Sequence, residues 1–325
     1  MAAGRDAGGK RNFRVGAVFP QTEIGTDPGA IANFAQAIES LGFDDLVAYD
    51  HVVGANPASR SEWKFLYTHE SMFHEPLVLF SYLAGVTRDL HFTTGVIILP
   101  QRQTALFGKQ AANLDIFCNG RLRVGVGVGY TQLEYDALGV PFSSRAARMD
   151  DQIPLLRQLW TEASITRSGP FHTITDAGIS PLPRQRPIPI WIGGTSTAAM
   201  RRAAKIGDGW LPYLAGGTEK APSGIMFEEA EEKFSEFRQL VVDSERPVDA
   251  VPIETIVFLR NVNGGVDGLT NYVRILGKAG GSGIFVDTMH MGFQGADGHL
   301  AALRQIADRL ELQPAAKNKQ KLRNQ

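Results

Sequence analysis

The feature that most constrains the fold is an alternation of short apolar runs with amphipathic stretches along almost the whole chain. The first pair is well defined. Arg14 to Phe19 has the composition of a strand, and Asp27-Pro28 then supplies an N-cap followed by proline at the first helical position. Gly42 ends that helix. Strands that alternate with helices in this way are typical of βα units and a parallel sheet.

Eight such pairs are predicted, and eight strand–helix units favour a single closed (β/α)8 TIM barrel over residues 13–312. An open doubly wound sheet is the alternative. The chain of 325 residues is long enough for two domains, but α/β barrels reach this length as one. The predicted strands are Arg14 to Phe19, Asp45 to Ala48, His91 to Leu99, Arg121 to Val128, Ile188 to Ile192, Gly209 to Pro212, Ile253 to Leu259 and Gly283 to Val286.

Two insertions into the barrel are predicted. A long loop from His51 to His74 follows the second strand, and a hairpin centred on Gly169 precedes the fifth. The ends of the chain, 1–12 and 313–325, are polar and contain almost nothing to bury, so we expect both to be disordered.

Composition argues for a cytoplasmic protein that acts on small molecules. Lys plus Arg number 33 and Asp plus Glu 34, a net charge of −1 that suggests neither nucleic acid nor a membrane surface as a partner. The single cysteine, Cys118, excludes an intrachain disulfide and a multi-cysteine zinc site. The polar start does not look like a secretory signal, and no apolar stretch reaches the length of a membrane span.

Sites in such barrels form where the strands end, which directs attention to Asp50-His51 after the second strand. An imidazole can move a proton near neutral pH, and a neighbouring carboxylate would favour its charged form. The alternative is a capping aspartate beside a structural histidine. If His51 does not carry the proton, the candidates are Tyr130, Glu134 or a histidine of the long loop.

Two glycine-rich segments also follow strands. Gly193-Gly194-Thr195-Ser196 opens a helix, where unpaired N–H groups suit a phosphate, although an ordinary capped turn has the same pattern. The segment from Gly125 through Gly127 to Gly129 lacks the spacing of a dinucleotide-binding fingerprint. Glycines at a strand end indicate instead a backbone packed close to a flat ligand.

The long loop after the second strand is rich in aromatic residues, and we interpret it as a lid or substrate wall. Its histidines and acidic residues match no zinc motif that can be defended by spacing. The aromatic and histidine residues concerned are Trp63, Phe65, Tyr67, His69, Phe73 and His74.

Taken in order, several passages resemble the luciferase-like monooxygenases and their relatives that depend on coenzyme F420, a deazaflavin. The resemblance extends from about Phe13 to Leu310. It is carried by Leu46 to His51, Thr94 to Val96, Lys109 to Asp115, Gly120 to Tyr130, Glu134 to Gly139, Pro189 to Thr195 and Gly207 to Trp210.

The resemblance implies a cofactor site with several parts. A non-proline cis peptide at Gly95-Val96 would support the flavin ring, with Gly127, Gly129 and Tyr130 nearby. Gly193, Gly194 and Thr195 would bind the cofactor phosphate. Asp50-His51 falls where relatives have an acid–histidine pair, and the histidine is the catalytic acid or base in several of them.

Two departures from the family bear on the cofactor and substrate. Tyr130 stands where the F420-dependent sugar-phosphate dehydrogenases have a glutamate, which argues against a sugar phosphate. Val128 stands where bacterial luciferase has an arginine that helps to bind the FMN phosphate, which favours the deazaflavin.

The leading hypothesis is therefore an F420-dependent oxidoreductase that transfers a hydride to or from an organic substrate. The first alternative is an FMN-dependent monooxygenase supplied with reduced flavin by a partner reductase, and the second is a non-catalytic flavin-binding barrel. By analogy with the superfamily, we expect a homodimer that pairs through helices beside the early strands.

Overall fold

The computed structural model describes residues 13–60, 62–215 and 224–314. The disorder predicted for 1–12 and 313–325 falls outside these residues, except at 313 and 314. The strands are β1 (Arg14–Val18), β2 (Asp45–Ala48), β3 (His91–Thr94), β4 (Ile97–Ile98), β5 (Leu122–Gly127), β6 (Ile165–Ser168), β7 (Thr173–Ala177), β8 (Ile190–Gly193), β9 (Gly209–Leu211), β10 (Tyr213–Ala215), β11 (Ile225–Met226), β12 (Glu254–Phe258) and β13 (Gly283–Asp287).

The helices fall between the strands, as the alternating pattern predicts, with bounds mostly within a few residues of those expected. They are α1 (Pro28–Leu41), α2 (Pro76–Ala84), α3 (Thr104–Phe117), α4 (Gln132–Ala137), α5 (Arg145–Thr161), α6 (Thr197–Ile206), α7 (Ala230–Asp243), α8 (Gly265–Lys278) and α9 (Gly295–Arg309). Within the described ranges, no helix is both long enough and apolar enough to span a membrane.

The chain divides into two compact units. The described part of the first unit consists of 13–48, 86–93, 191–215 and 224–314, and the second unit consists of Tyr49–Gly85 and Thr94–Ile190.

The first unit is built on a parallel sheet. Strands β11, β10, β12, β13, β1 and β2 follow one another as neighbours, and each of these pairings is parallel. Residues 191–193 of β8 pair in parallel with β9, and Trp210 of β9 bridges to Ile253, just ahead of β12. An α/β fold with a parallel sheet is therefore confirmed, whereas closure into an eight-stranded barrel stays a prediction.

Helix α1 shows how the sequence fixes the elements of this unit. The Asp27 side chain accepts a hydrogen bond from the Ala30 amide at 2.7 Å, and Pro28 starts the helix. Gly42 ends it in the left-handed conformation, with φ of +87°. The buried face consists of Ile31, Phe34, Ala35 and Ile38, as the spacing of apolar residues predicts.

The second unit contains β4, β5, helices α2 to α5 and an antiparallel hairpin formed by β6 and β7. The hairpin occupies the position predicted around Gly169. The predicted continuous strand from His91 to Leu99 is wrong in one respect. It is broken after Thr94 and resumes as β4 at Ile97, with the Gly95-Val96 peptide between the two segments. A similar break at Pro212 separates β9 from β10, because proline has no N–H to donate to a strand partner.

Candidate active site

His51 lies three residues beyond the end of β2, and it contacts the carboxylate of Glu134 of α4. Its Nδ1 is 3.4 Å from Glu134 Oε1, and the same oxygen accepts a hydrogen bond from the Val52 amide at 2.9 Å. The Glu134 side chain is only 3% exposed, and that of His51 is 19% exposed. A buried carboxylate thus holds the backbone at Val52 and lies beside the imidazole of His51.

Asp50 does not act as the partner of His51, which corrects the expectation drawn from their adjacency. Asp50 Oδ1 contacts Arg102 Nη2 at 2.6 Å, and Oδ2 accepts from the Ile98 amide at 3.0 Å. Arg102 also reaches Glu75 at 2.8 Å. Burial raises the pKa of Asp50, and the Arg102 guanidinium opposes that shift. Asp50 therefore anchors the segment from Ile98 to Arg102, whereas His51 lies beside Glu134.

A cavity of about 320 Å³ lies beside His51 within the second unit. Its walls include His51, Trp63, Tyr67, Phe73 and Tyr130. Ring centroids of His51 and Phe73 are 4.8 Å apart, and those of His51 and Tyr67 are 5.2 Å apart. The aromatic loop thus forms a wall against the histidine, in line with its interpretation as a lid or substrate wall.

Tyr130, on the other side of this cavity, is 52% exposed. Its ring lies 4.9 Å from that of Phe65 and 6.2 Å from that of His51. The segment that carries Tyr130 is held in place by Tyr135, whose hydroxyl donates to the Val128 carbonyl at 2.7 Å. Among the described residues, no three His, Cys, Asp or Glu side chains form a metal-binding group.

The predicted cis peptide between Gly95 and Val96 is confirmed. Beside it, the Thr94 hydroxyl donates to the Gly125 carbonyl at 2.7 Å. A Cβ added at Gly127 would lie 2.6 Å from Val96 Cγ2, so this glycine is required for packing against the cis segment.

Gly129 is required for the same reason, since a Cβ there would lie 2.7 Å from Ile98 Cγ2. Its φ of +65° also favours glycine. Packing within the protein thus accounts for both glycines, and their contact with a flavin ring stays a prediction.

The glycine turn after β8 belongs to the first unit. Gly194 has φ of +102°, and its carbonyl accepts from the Trp210 indole N–H at 2.8 Å. Ser196 caps α6 by accepting from the Ala199 amide at 3.2 Å. Thr197 and Ala198 are exposed, and amides in a first helical turn have no acceptor within the helix. The capped turn is confirmed, and its exposed amides suit a phosphate.

Sequence reasoning identified His51, but it treated Glu134 only as a substitute proton carrier. The two residues are separated by 83 positions, and no local pattern brings them together. A signal was present, because Glu134 lies in the first turn of a helix that begins soon after a predicted strand end.

Comparison with known proteins identifies the family. The family model for luciferase-like monooxygenases matches residues 13–241. The chain therefore belongs to the luciferase-like monooxygenase family.

Sequence relatives include proteins that differ in their cofactor. An uncharacterised protein of Mycobacterium tuberculosis is 35% identical over 201 residues, which cover 59% of this chain and 68% of that protein. An F420-dependent glucose-6-phosphate dehydrogenase of Kineococcus radiotolerans is 28% identical, over 57% of this chain and 52% of its own. An FMNH2-dependent dimethylsulfone monooxygenase of Pseudomonas putida is 32% identical, over 42% and 38% respectively.

Solved structures share the fold at low sequence identity. A long-chain alkane monooxygenase matches with a TM-score of 0.70 and 14% identity, over 93% of this chain and 92% of that one. An F420-dependent secondary alcohol dehydrogenase, solved with an F420-acetone adduct, matches with a TM-score of 0.69 and 14% identity, over 94% and 99%.

Proposed function

We propose that this protein is an oxidoreductase that transfers a hydride between coenzyme F420 and an organic substrate. The observation that carries the proposal is the setting of His51. Its Nδ1 faces the buried carboxylate of Glu134 at 3.4 Å, and its ring forms part of a cavity walled by aromatic side chains. A histidine held in this way is equipped to hand a proton to a bound molecule, or to take one from it.

The cofactor would be held by the residues that the family resemblance indicates. Gly95, Val96, Gly127, Gly129 and Tyr130 are proposed for the ring. Coenzyme F420, when bound, exchanges a hydride and does not activate oxygen. The donors present fit this assignment on the phosphate side, where the turn at Gly193, Gly194 and Thr195 leads into the exposed first-turn amides of α6.

The chain's own residues would perform the remaining tasks. Hydride transfer at a carbon that bears oxygen leaves one proton to be moved, and His51 Nε2 is proposed to carry it. Glu134 would keep the Nδ1 side of the ring occupied, so that Nε2 stays directed to substrate. Tyr67 and Phe73 would shield the proton transfer from water.

A second candidate is an FMN-dependent monooxygenase that receives reduced flavin from a partner reductase. It is favoured by the 32% identity to the FMNH2-dependent enzyme of Pseudomonas putida. Val128, which stands where bacterial luciferase has an arginine, favours the deazaflavin instead.

Cofactor loading followed by desalting distinguishes the two candidates. The protein is incubated with coenzyme F420 or FMN, desalted, and examined by absorbance and fluorescence. We expect F420 to be retained and no oxygen to be consumed during turnover. Retention of FMN with oxygen uptake in the presence of a reductase would establish the monooxygenase, and retention of neither cofactor would leave a non-catalytic barrel.

We further propose that the enzyme is a cytoplasmic homodimer that acts on small molecules. Composition supports the location, and the family resemblance supports the small-molecule substrate, the dimer and a closed (β/α)8 barrel.

A further inference from the structure

The cavity beside His51 is small, and four of its twelve lining residues are aromatic: Trp63, Tyr67, Phe73 and Tyr130. Its volume of about 320 Å³ lies at the lower end of the roughly 300–1,000 Å³ usual for ligand sites. Phe73 and Tyr67 have ring centroids 4.8 Å apart in an edge-to-face arrangement, and both contact the imidazole of His51. Rings arranged in this way present flat apolar faces and edges, which are the surfaces that aromatic and alicyclic molecules pack against.

The uncharged wall of the cavity disfavours metabolites that carry a charge. Among the described residues, every side chain that lines the cavity is uncharged apart from the imidazoles of His51 and His69. A phosphate or carboxylate that enters such a site loses its water without gaining an arginine or lysine partner, and this is costly. The carboxylate of Glu134, 3.4 Å from His51, adds repulsion toward any anion.

Several polar groups of the loop take part in hydrogen bonds that hold the loop itself. Ser71 Oγ accepts from the Thr68 amide at 3.0 Å, and Thr68 Oγ1 accepts from the Glu70 amide at 3.3 Å. The Trp63 indole donates to the Tyr67 carbonyl at 3.0 Å. A sugar needs many hydrogen-bond partners, and part of the hydrogen-bonding capacity of these groups is already used within the loop. A ligand with one polar group, placed at His51, makes better use of the site.

We infer that the substrate is an uncharged, ring-bearing molecule with a single hydroxyl or carbonyl group that meets His51. Sugar phosphates and other anions are excluded from the site. The inference rests on the proposed function for the role of His51, but its evidence is the wall of the cavity, which can be tested by binding alone.

The test compares two probes that share a ring system and differ in charge. Naphthylethanol and naphthyl phosphate are titrated into the full-length protein by calorimetry, with and without saturating coenzyme F420, and glucose-6-phosphate is titrated in the same way. We expect naphthylethanol to bind at least about tenfold more tightly than naphthyl phosphate, a difference of about 1.4 kcal/mol. Equal or tighter binding of either phosphate would overturn the inference, and so would a failure of naphthylethanol to bind in every condition.

Variants of the wall residues test whether naphthylethanol binds in this cavity. Phe73→Leu and Tyr67→Leu each remove one ring of the wall, and each should weaken naphthylethanol binding about two- to tenfold. Val242→Ala is the control, because Val242 is 49% exposed, lies on α7 and is outside the cavity. Affinity that is unchanged in both wall variants would contradict the inference.

Cofactor absorbance in the same samples separates the two proposals. If F420 is not retained but naphthylethanol binds with dependence on Phe73, the proposed function fails and the ligand class stands. If F420 is retained but the phosphate is the tighter probe, the ligand class fails alone.

Discussion

At the residue scale, substitutions of His51 and of Glu134 are expected to affect turnover and stability differently. His51→Ala removes the imidazole but leaves the Val52 amide bonded to Glu134, so the loop keeps its anchor. We expect cofactor affinity and melting temperature close to wild type, and turnover lower by about two to four orders of magnitude. Absorbance titration, thermal melting and steady-state kinetics on one preparation check this. His69→Ala removes the other imidazole of the cavity and should lower turnover much less than His51→Ala does.

Two substitutions of Glu134 distinguish its role in positioning His51 from its role in holding the loop backbone. Glu134→Gln keeps an oxygen that can accept from the Val52 amide but removes the carboxylate beside His51. It should lower kcat about ten- to hundredfold, as loss of an orienting partner does, with KM little changed. Glu134→Ala should also raise KM, because the Val52 amide loses its acceptor. If His51→Ala retains full turnover, the proton belongs to Tyr130, Glu134 or a loop histidine.

The sequence predicted part of this site. His51 was a predictable candidate because it lies in the segment that follows a strand, and sites in such barrels form where the strands end. Its carboxylate partner was not, because adjacency suggested Asp50 while the fold directs Asp50 toward Arg102. A contact between residues far apart in the chain depends on packing, which a single sequence does not specify.

At the scale of elements, helices and most strands were predictable to within a few residues, since caps and apolar periodicity are local signals. The helix α1 and its Gly42 terminus are examples. The break between β3 and β4 was not visible in the apolar run from His91 to Leu99. The cis peptide within that break was anticipated only through the family resemblance.

The hairpin of β6 and β7 supplies a prediction at this scale. Asp151 of α5 accepts from Arg167 Nη2 of β6 and contacts His172 Nδ1 in the turn, both at 2.6 Å. Burial raises the pKa of Asp151, but the hydrogen bonds to His172 and Arg167 outweigh it, so its pKa lies below the usual value. Such a carboxyl stabilises the fold above its unfolded pKa of about 3.9, and this stability is lost as pH falls through the folded value.

Asp151→Asn should therefore lower the free energy of unfolding by about 1.5–3 kcal/mol at neutral pH. The difference from wild type should shrink once the pH falls below about 4. Urea unfolding at neutral and acidic pH measures both. Asp176→Asn, an exposed position in the same hairpin, is the control and should change little. A deficit that persists unchanged in acid would show that the carboxylate charge is not its cause.

At the scale of the whole molecule, family membership was predictable because many weak motifs occur in a fixed order. The match over residues 13–241 confirms it. The substrate was not predictable, since the loop from His51 to His74 has no periodic pattern and its wall forms only when distant residues such as Tyr130 pack against it. The cofactor was not predictable either, because the relatives include both an F420-dependent and an FMNH2-dependent enzyme.

The exposed surface of α2 and α3 bears on how the whole molecule assembles. Val78 and Tyr82 lie one turn apart on α2 and are 69% and 45% exposed, while Leu106 and Phe117 on α3 are 54% and 64% exposed. Exposed apolar side chains on two helices that contact each other are typical of an interaction surface. These helices are early in the chain, as the predicted homodimer requires.

We therefore expect a dimer mass by light scattering at micromolar concentration, and a monomer mass for Val78→Glu. A carboxylate placed in an apolar interface loses its water without a partner, so the dimer should weaken while the monomer keeps its fold. Val248→Glu is the matched control, because Val248 is exposed to 42% and lies outside α2 and α3. A wild-type monomer would refute the dimer, and a Val78→Glu dimer of unchanged stability would place the interface on another surface.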